Sequence, residues 1–376
     1  MPWKTMDLNE QRVQFVVAAV RREKTLGELC QEFGISRPTG RLWLGRYREL
    51  GVAGLQERSR RPQRSPRRTA TRCEQQVIEL RRQYPDWGAR KLQWLLARQG
   101  VSLSVSTVHR ILLRHDLLTV EDRYRTATRR FQRNAPNELW QMDFKSPIGW
   151  GTHVGPLSVL DDYSRYVIVL HATGSTRAEL VREQLEQAFT QCGLPHAMLM
   201  DHGTPWWNTA TPSGVTALTL WLMRQGVQLR WSGFRHPQTQ GKVERFHGSL
   251  HRAIARRGLP PADRQLWLDA YRHEYNYQRP HEALGMQPPA THWQPSLRRY
   301  DPHPPAWEYP TAATVVRVDI RGQLWTAGRR WFISEVLAGQ SVQILPVENR
   351  LWVLYCNTVV RELDLVTQQS RSMESW

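Results

Sequence analysis

The chain has 376 residues, a length that suits two to four domains, and its 40% hydrophobic content and 17 Trp residues suffice for packed cores. Lys and Arg number 52 against 34 Asp and Glu, a formal net charge of +18, so a polyanion is the natural partner. No apolar run approaches the roughly 20 residues that span a membrane. MPWKTMDLNEQRVQF lacks the apolar core of a signal peptide. Cys30, Cys73, Cys192 and Cys356 form no CxxC pair, so neither a zinc knuckle nor a disulfide framework is indicated and a reducing cytoplasm is expected.

Residues 10–22 have helical periodicity that sets Val13, Val16, Val17 and Val20 on one side. Thr25 caps a short helix, LGELCQEFG, ended at Gly34, and Ser36 opens a third with Pro38 in its first turn, where a missing N–H costs little. Helix, short helix, Gly-Ile-Ser turn and third helix form the helix-turn-helix layout. The third helix carries Arg37, Arg41, Arg46 and Arg48 toward DNA, with Trp43 and Leu44 available to the core; a three-helix unit with no DNA partner is the plainer alternative. Residues 56–72 hold seven Arg, two Pro and no large apolar residue, which makes a linker. Arg60, Arg61, Arg64, Arg67 and Arg68 can lie along a phosphate backbone or in a minor groove, or the run is a solvated spacer.

A second helix-turn-helix unit is predicted at 73–118: Cys73–Gln83, WGARKLQWLLARQG, and STVHRILLRHDLL, the last capped by Ser104 or Ser106 and offering His109 and Arg110 to DNA. Two such units in tandem suit a long site. The segment 119–137, with Arg123, Arg125, Arg129, Arg130 and Arg133, is a second basic linker.

From Leu139 the pattern changes. LWQMDFK, PLSVLDDYS and YVIVLHA read as three strands, the first two joined by PIGWGTHVGP. RAELVREQLEQAFTQC is an amphipathic helix, HAMLMD a buried strand, SGVTALTLWLMRQ a helix and VQLRW a short strand, which together describe a mixed α/β sheet. GKVERFHGSLHRAIARRG and DRQLWLDAYRHEYNYQR are two long helices. Pro-rich stretches mark a boundary near 287–310, and the short alternating runs over 311–366 predict a small β-barrel of five or six strands.

Three acids stand out by context. Asp143 lies inside an apolar strand, Asp201 closes another strand before a glycine-containing turn, and Glu244 lies early in a helix. A carboxylate in such a strand is costly to desolvate unless a cation pairs with it. Mg²⁺ prefers carboxylate oxygen and is held by few protein ligands plus substrate phosphate. Taken singly, each acid also reads as half of a buried salt bridge or as a turn residue. Asp161 and Asp162, before Ser164-Arg165, read as hairpin-turn residues.

The order Asp, Asp, Glu resembles the DDE transposase and retroviral integrase catalytic core, an RNase H-like fold. LWQMDFK, VLDDYSRYVIVLHA, MLMDHGTPW, HPQTQGKVERFHGSL and NYQRPHEALGMQPPATHW together resemble the insertion-sequence transposases of the IS481 and IS3 type over roughly 139–295. The resemblance implies Asp143, Asp201 and Glu244 as catalytic residues holding two Mg²⁺ ions, with Mn²⁺ able to substitute. It implies Lys242 and Arg245 at the terminal DNA phosphates, and His236, Gln238 and Gln240 near the DNA end, where loop and cap chemistry is an equal reading. His281 reads as ordering a helix end. His202 stands where the family often has Asn, and Asp201 and Glu244 are farther apart in sequence than in retroviral integrases.

The expected fold is therefore multidomain. It comprises all-α helix-turn-helix units at 1–55 and 73–118, linkers at 56–72 and 119–137, an RNase H-like α/β core at 138–286, a Pro-rich linker at 287–310, a β-barrel at 311–366 and a tail at 367–376. The expected activity is binding of an insertion sequence's terminal inverted repeats, 3′-end cleavage and strand transfer into target DNA. The implied partners are double-stranded DNA and at least a second copy of the chain on it, with no membrane, in a bacterial cytoplasm at the nucleoid. A catalytically inactive DNA-binding regulator and an RNase H-type nuclease are the rival readings.

Overall fold

A computed structural model describes residues 8–57, 69–118, 132–147, 153–208, 213–232, 240–258 and 263–372. Arg60, Arg61, Arg64, Arg67 and Arg68, the arginines 123, 125, 129 and 130 of the second basic run, and His236 and Gln238 lie outside the described residues. The chain divides into two units, Met1–Thr69 and Ala70–Trp376.

The first unit holds α1 (Leu8–Val20), α2 (Leu26–Glu32) and α3 (Arg37–Leu50). Thr25 and Glu28 form a capping box, with the Thr25 N–H donating to Glu28 Oε2 at 2.8 Å, and Ser36 accepts from the Thr39 N–H at 3.3 Å. These side chains satisfy N–H groups that a helix start leaves without a partner. Phe15, Val16, Leu29, Cys30 and Leu55 form the core. Val16 is central to it, whereas Val17 and Val20, expected on the same side, are 37% and 55% exposed. The buried face is turned toward Phe15, whose ring meets Phe33 edge-on at 5.6 Å. Gly40 permits that packing, since a Cβ there would lie 2.7 Å from Cys30 Sγ and 2.9 Å from the Phe15 ring.

The second unit begins with α4 (Thr71–Gln83), α5 (Ala89–Arg98) and α6 (Val105–Arg114). Ser104, rather than Ser106, caps α6, accepting from the Thr107 N–H at 3.1 Å. Val77, Leu80, Trp87, Leu92, Leu96, Val108, Ile111 and Leu112 close the core. Next come β1 (Leu139–Phe144), β2 (Leu157–Asp161), β3 (Val167–His171), α7 (Ala178–Cys192), β4 (Ala197–Met200), α8 (Ala217–Arg224), β5 (Gln228–Trp231), α9 (Gly241–Arg257) and α10 (Arg264–Tyr277). The strand order is β3-β2-β1-β4-β5, with β1, β2 and β3 an antiparallel meander and β4 and β5 added in parallel. Trp140 and Met142 share an apolar cluster with Leu185 and Phe189 of α7 and Leu222 of α8. Leu160, Val167 and Leu170 share another with Phe246 and Leu250 of α9 and Leu268, Tyr271 and Tyr275 of α10. The sheet is thus a middle layer with a helix pair on each face.

The C-terminal strands are β6 (Thr314–Arg317), β7 (Gln323–Thr326), β8 (Arg329–Phe332), β9 (Ser341–Val347), β10 (Arg350–Tyr355), β11 (Thr358–Asp364) and β12 (Ser370–Arg371). They form an antiparallel sheet of order β12-β11-β10-β9-β6 and a separate β7–β8 ribbon. The expected barrel is not closed: β7 and β8 bond to each other, so among the described residues β6 and β12 remain the sheet's edges. This sheet joins the apolar cluster on the α7–α8 side, and Arg224 Nε donates to Tyr355 Oη at 3.0 Å.

The helical module at 71–114 is tied to α9 and α10 by charge. Arg257, at the end of α9, donates from Nη1 and Nη2 to the two Glu274 oxygens at 2.6 and 2.8 Å, and from Nε to Asp86 Oδ1 at 2.8 Å. The Asp86 side chain is 1% exposed. Arg256 Nη1 donates to the Pro85 carbonyl at 2.9 Å, and Arg90 and Lys91 reach Glu282 at 3.2 and 3.8 Å. Replacing Arg257 by Ala leaves two carboxylates without their shared cation. The expected loss is about 3 kcal/mol of unfolding free energy for this unit. Arg182→Ala, at an exposed pair with Glu186 on α7, is expected to cost about 0.5 kcal/mol or less. Denaturant unfolding of the two variants checks the difference.

His281 lies beside this seam. Burial and the cations of Arg279, Arg165, Lys91 and Arg245 push its imidazole down to about 3. The unfolded chain takes up a proton near pH 6.5 that the folded chain does not, so stability falls as pH drops below about 6.5. His281→Gln removes that difference. Its melting temperature is expected to fall less steeply than wild type between about pH 6.5 and 5, and equal slopes would refute the assignment.

Candidate active site

The pairing of β1 with β4 sets Leu139 opposite Ala197, Trp140 opposite Met198 and Gln141 opposite Leu199. The same register continued by two residues brings Asp143 level with Asp201, just past the end of β4. Strand alternation sends Trp140 and Met142 toward α7, leaving Gln141 and Asp143 on the face that α9 covers. Glu244 sits in the first turn of α9. Burial, then the charges of Asp201 and Glu244, push the Asp143 carboxyl up to about 7. Burial also raises the Glu244 carboxyl. The three sequence-predicted acids therefore act electrostatically at one place, around Asp143.

Each acid is held by its own supports. Asp201 Oδ1 accepts from the Gly203 N–H at 2.9 Å and from Trp206 Nε1 at 2.7 Å. Trp206 is 1% exposed and stacks on Phe144, the residue after Asp143, with centroids 5.2 Å apart. His247, one turn beyond Glu244, sets Nδ1 3.6 Å from Asp143 Oδ2 and Nε2 3.0 Å from Ser158 Oγ. Ser158 is the β2 residue directly opposite Asp143. Burial pushes the His247 imidazole down to about 3, so it stands neutral beside the acids. Gln141 Oε1 accepts from the Val243 N–H at 3.2 Å, fixing the start of α9 to β1. Gln141 Nε2 donates to Asp162 Oδ1 at 2.8 Å.

The turn acids divide their work. Asp161 accepts from the Ser164 N–H at 2.8 Å, from Ser164 Oγ at 2.6 Å and from the Asn137 N–H at 2.8 Å, closing the β2–β3 turn as expected. Asp162 does more than turn the chain: it pairs with Lys242 of α9 and accepts from the Arg133 N–H at 2.9 Å.

The expected DNA-contact residues fall into two groups. Arg37, Arg41, His109, Arg110 and Arg245 are exposed. Arg46 instead lies over the Trp43 ring at 4.9 Å, and Arg12 lies over the same ring at 4.1 Å. Lys242 is turned inward to Asp162, and Gln240 is 6% exposed at the start of α9. In the chain without DNA, Lys242 is engaged in an internal ion pair. His202 packs edge-on against Trp207 at 4.6 Å. Trp206, His247, Ser158 and Gln141 are the supports that sequence reasoning passed over. Only His247 left a signal, its three-residue spacing from Glu244 on one helix face.

The chain matches family models described as integrase core domain over residues 133–237 and 225–289, as homeodomain-like domain over 39–112 and as helix-turn-helix domain over 11–63. It is 34% identical over 103 residues to Protein YlbG of Escherichia coli K12, covering 26% of this chain and 80% of that protein. It is 26% identical to an uncharacterized 31.7 kDa protein of insertion element IS407 from Burkholderia multivorans, over 57% of this chain and 78% of the relative. An uncharacterized 39.2 kDa protein of insertion element IS476 from Xanthomonas euvesicatoria is 24% identical over 72% of this chain and 78% of the relative. The chain belongs to the insertion-sequence transposases with an integrase core. Among solved structures, the catalytic core domain of HTLV-2 integrase in complex with magnesium aligns with 42% of this transposase and 97% of that chain, at 13% identity and a TM-score of 0.33.

The donor set fits a hard divalent cation. All three acids offer oxygen, and no thiolate joins them. Among the described residues no three His, Cys, Asp or Glu side chains are placed to hold a metal ion together, so the fit rests on the chemistry of the donors and not on a formed ligand set. An open set with Asp143 at its centre suits Mg²⁺, which takes one or two carboxylates and leaves the remaining positions to water and phosphate. Trp206→Phe keeps an aromatic ring against Phe144 and removes the N–H that holds Asp201, together with part of the buried ring volume. It is expected to weaken Mg²⁺-dependent DNA cleavage by about 10-fold or more, with the Mg²⁺ requirement shifted to higher concentration. A Mg²⁺ titration of cleavage reads both, and an unchanged titration would refute the support.

Proposed function

We propose that this chain binds the terminal inverted repeats of its insertion sequence, cleaves DNA to free a 3′-OH at each end, and joins those ends to target DNA. The observation that carries the reading is that Asp143 and Asp201 lie level at the ends of β1 and β4, with Glu244 at the start of α9 near enough to help raise the Asp143 carboxyl, in a chain of net charge +18. The mixed sheet, with the acids at its strand ends, and the helix-turn-helix units at 1–55 and 73–118 support it.

In this proposal the three carboxylates hold two Mg²⁺ ions, for which Mn²⁺ can substitute. When bound, the pair supplies positive charge at the attacking and leaving oxygens of an in-line phosphoryl displacement. The chain's own residues do the positioning. Asp143 would be one of the metal ligands, kept in place by strand β1. Trp206 and the Gly203 N–H aim Asp201. Gln141 fixes the helix start from which Glu244 projects. His247, neutral, adds no competing positive charge beside Asp143. Each acid serves by placing charge and water, and no covalent protein–DNA intermediate is needed. Arg37, Arg41, His109 and Arg110 are the proposed readers of the ends, joined by the basic runs at 56–72 and 119–137, and Arg245 is the proposed phosphate contact beside Glu244. Two ends must be brought together, which calls for at least a dimer on DNA, at the bacterial nucleoid.

Glu244→Gln keeps the shape of the side chain and removes its charge. It is expected to lower Mg²⁺-dependent 3′-end cleavage and strand transfer on the element's terminal DNA by about a thousand-fold or more, with DNA binding retained. Equal DNA binding and no cleavage by either protein in Mg²⁺ or Mn²⁺ would favour a DNA-binding regulator.

A further inference from the structure

The helical module at 71–114 and the C-terminal end of α10 enclose a cleft of about 390 Å³, within the range of small-ligand sites. Its walls are aromatic. Tyr84 and Trp87 are stacked with centroids 4.2 Å apart, Trp94 stands beside them, and Tyr277 closes the α10 side. Trp87 is wholly buried, and its indole N–H has no acceptor among the described residues. A buried donor of that kind ordinarily has a partner. Exposed polar groups share the lining: the amides of Gln278 and Gln287, each a donor and acceptor together, the Thr291 hydroxyl, and the Arg98 guanidinium, 4.9 Å from the Trp94 ring.

These groups form one recognition chemistry. Flat π faces take another flat ring, an amide addresses hydrogen-bonding edges, and a guanidinium addresses a neighbouring phosphate. We infer that this cleft receives an unpaired nucleobase of the DNA on which the chain acts. The inference rests on the DNA-processing reading and adds a site to it. A base within a duplex has both faces covered by its neighbours, so only an unpaired or extruded one can enter. The location fits such a task. One wall belongs to a helix-turn-helix unit, and the other to the helix that follows α9, which carries Glu244. A base held here restrains the strand beside the helix-turn-helix unit.

The test uses the full chain and two short duplexes of one sequence, one blunt and one with an unpaired overhang carrying 2-aminopurine. Wild type is expected to quench the 2-aminopurine and to bind the overhang duplex about 10-fold more tightly than the blunt one. Trp94 is part of no apolar core centre, so Trp94→Ala is expected to fold and to bring that ratio to about one with quenching lost, and Trp94→Phe to restore most of both. A wild type without preference, or a Trp94→Ala protein that keeps both preference and quenching, overturns the inference while leaving the transposase reading intact. A wild type that binds neither duplex overturns the transposase reading and the inference with it.

Discussion

The parallel pairing of β1 with β4 constrains everything around it. Because Gln141 sits opposite Leu199, Asp143 and Asp201 end level at one edge of two hydrogen-bonded strands, and neither can move without breaking the ladder. A one-residue slip would turn Asp143 to the α7 side, among Trp140, Met142 and Phe189, where a carboxylate has no partner. The apolar face therefore sets the register, and the register sets the distance between the acids. Burial and like charge then act against ionisation of Asp143, which rises to about 7. The fold spends stability to hold this arrangement, as sites of this kind commonly require.

The third acid is placed by a different device. Glu244 is on a helix, and a helix can slide or rotate over a sheet. Two links from the sheet prevent that. Gln141 accepts from the Val243 N–H, and Asp162 holds Lys242, so the residues on either side of that N–H are tied to β1 and to the β2–β3 turn. Gln141 also donates to Asp162, which joins the two links into one network. Lys242 is part of this device, with its ammonium pulled down to about 8 by burial against the pull of Asp162. Its value lies in fixing the helix rather than in stability, since desolvating both charges offsets most of their attraction.

Much of this was legible in the sequence, for identifiable reasons. Thr25, Ser36 and Ser104 are caps whose chemistry is local, so their helices begin where the sequence says. The three acids were legible because each interrupts an apolar or helical pattern. What escaped was long-range. Lys242 and Gln240 look like surface residues on a basic helix start, and only the packing of α9 over β1 and β2 turns them inward. Trp206 looks like one more tryptophan in PWW until its N–H is seen at Asp201. Val17 and Val20 obey helical periodicity, yet a stripe of valines does not say which edge of it meets Phe33. The C-terminal runs read correctly as strands but not as a barrel, because alternation says nothing about which strand pairs with which. There β7 and β8 pair with each other and leave β6 at an edge.

The electrostatics of the whole chain and of the site oppose each other, and the opposition is useful. A net charge of +18 attracts a phosphate backbone at long range whether or not a metal is present. The three acids repel that same backbone at short range, over a few ångströms around Asp143. DNA drawn by the net charge would therefore be kept off the carboxylates at short range. Only a divalent cation between phosphate and carboxylate reverses the local sign. Under the proposed function, affinity and cleavage would in this way be governed by separate charges, the arrangement expected of a protein that must hold one DNA end while it waits for another.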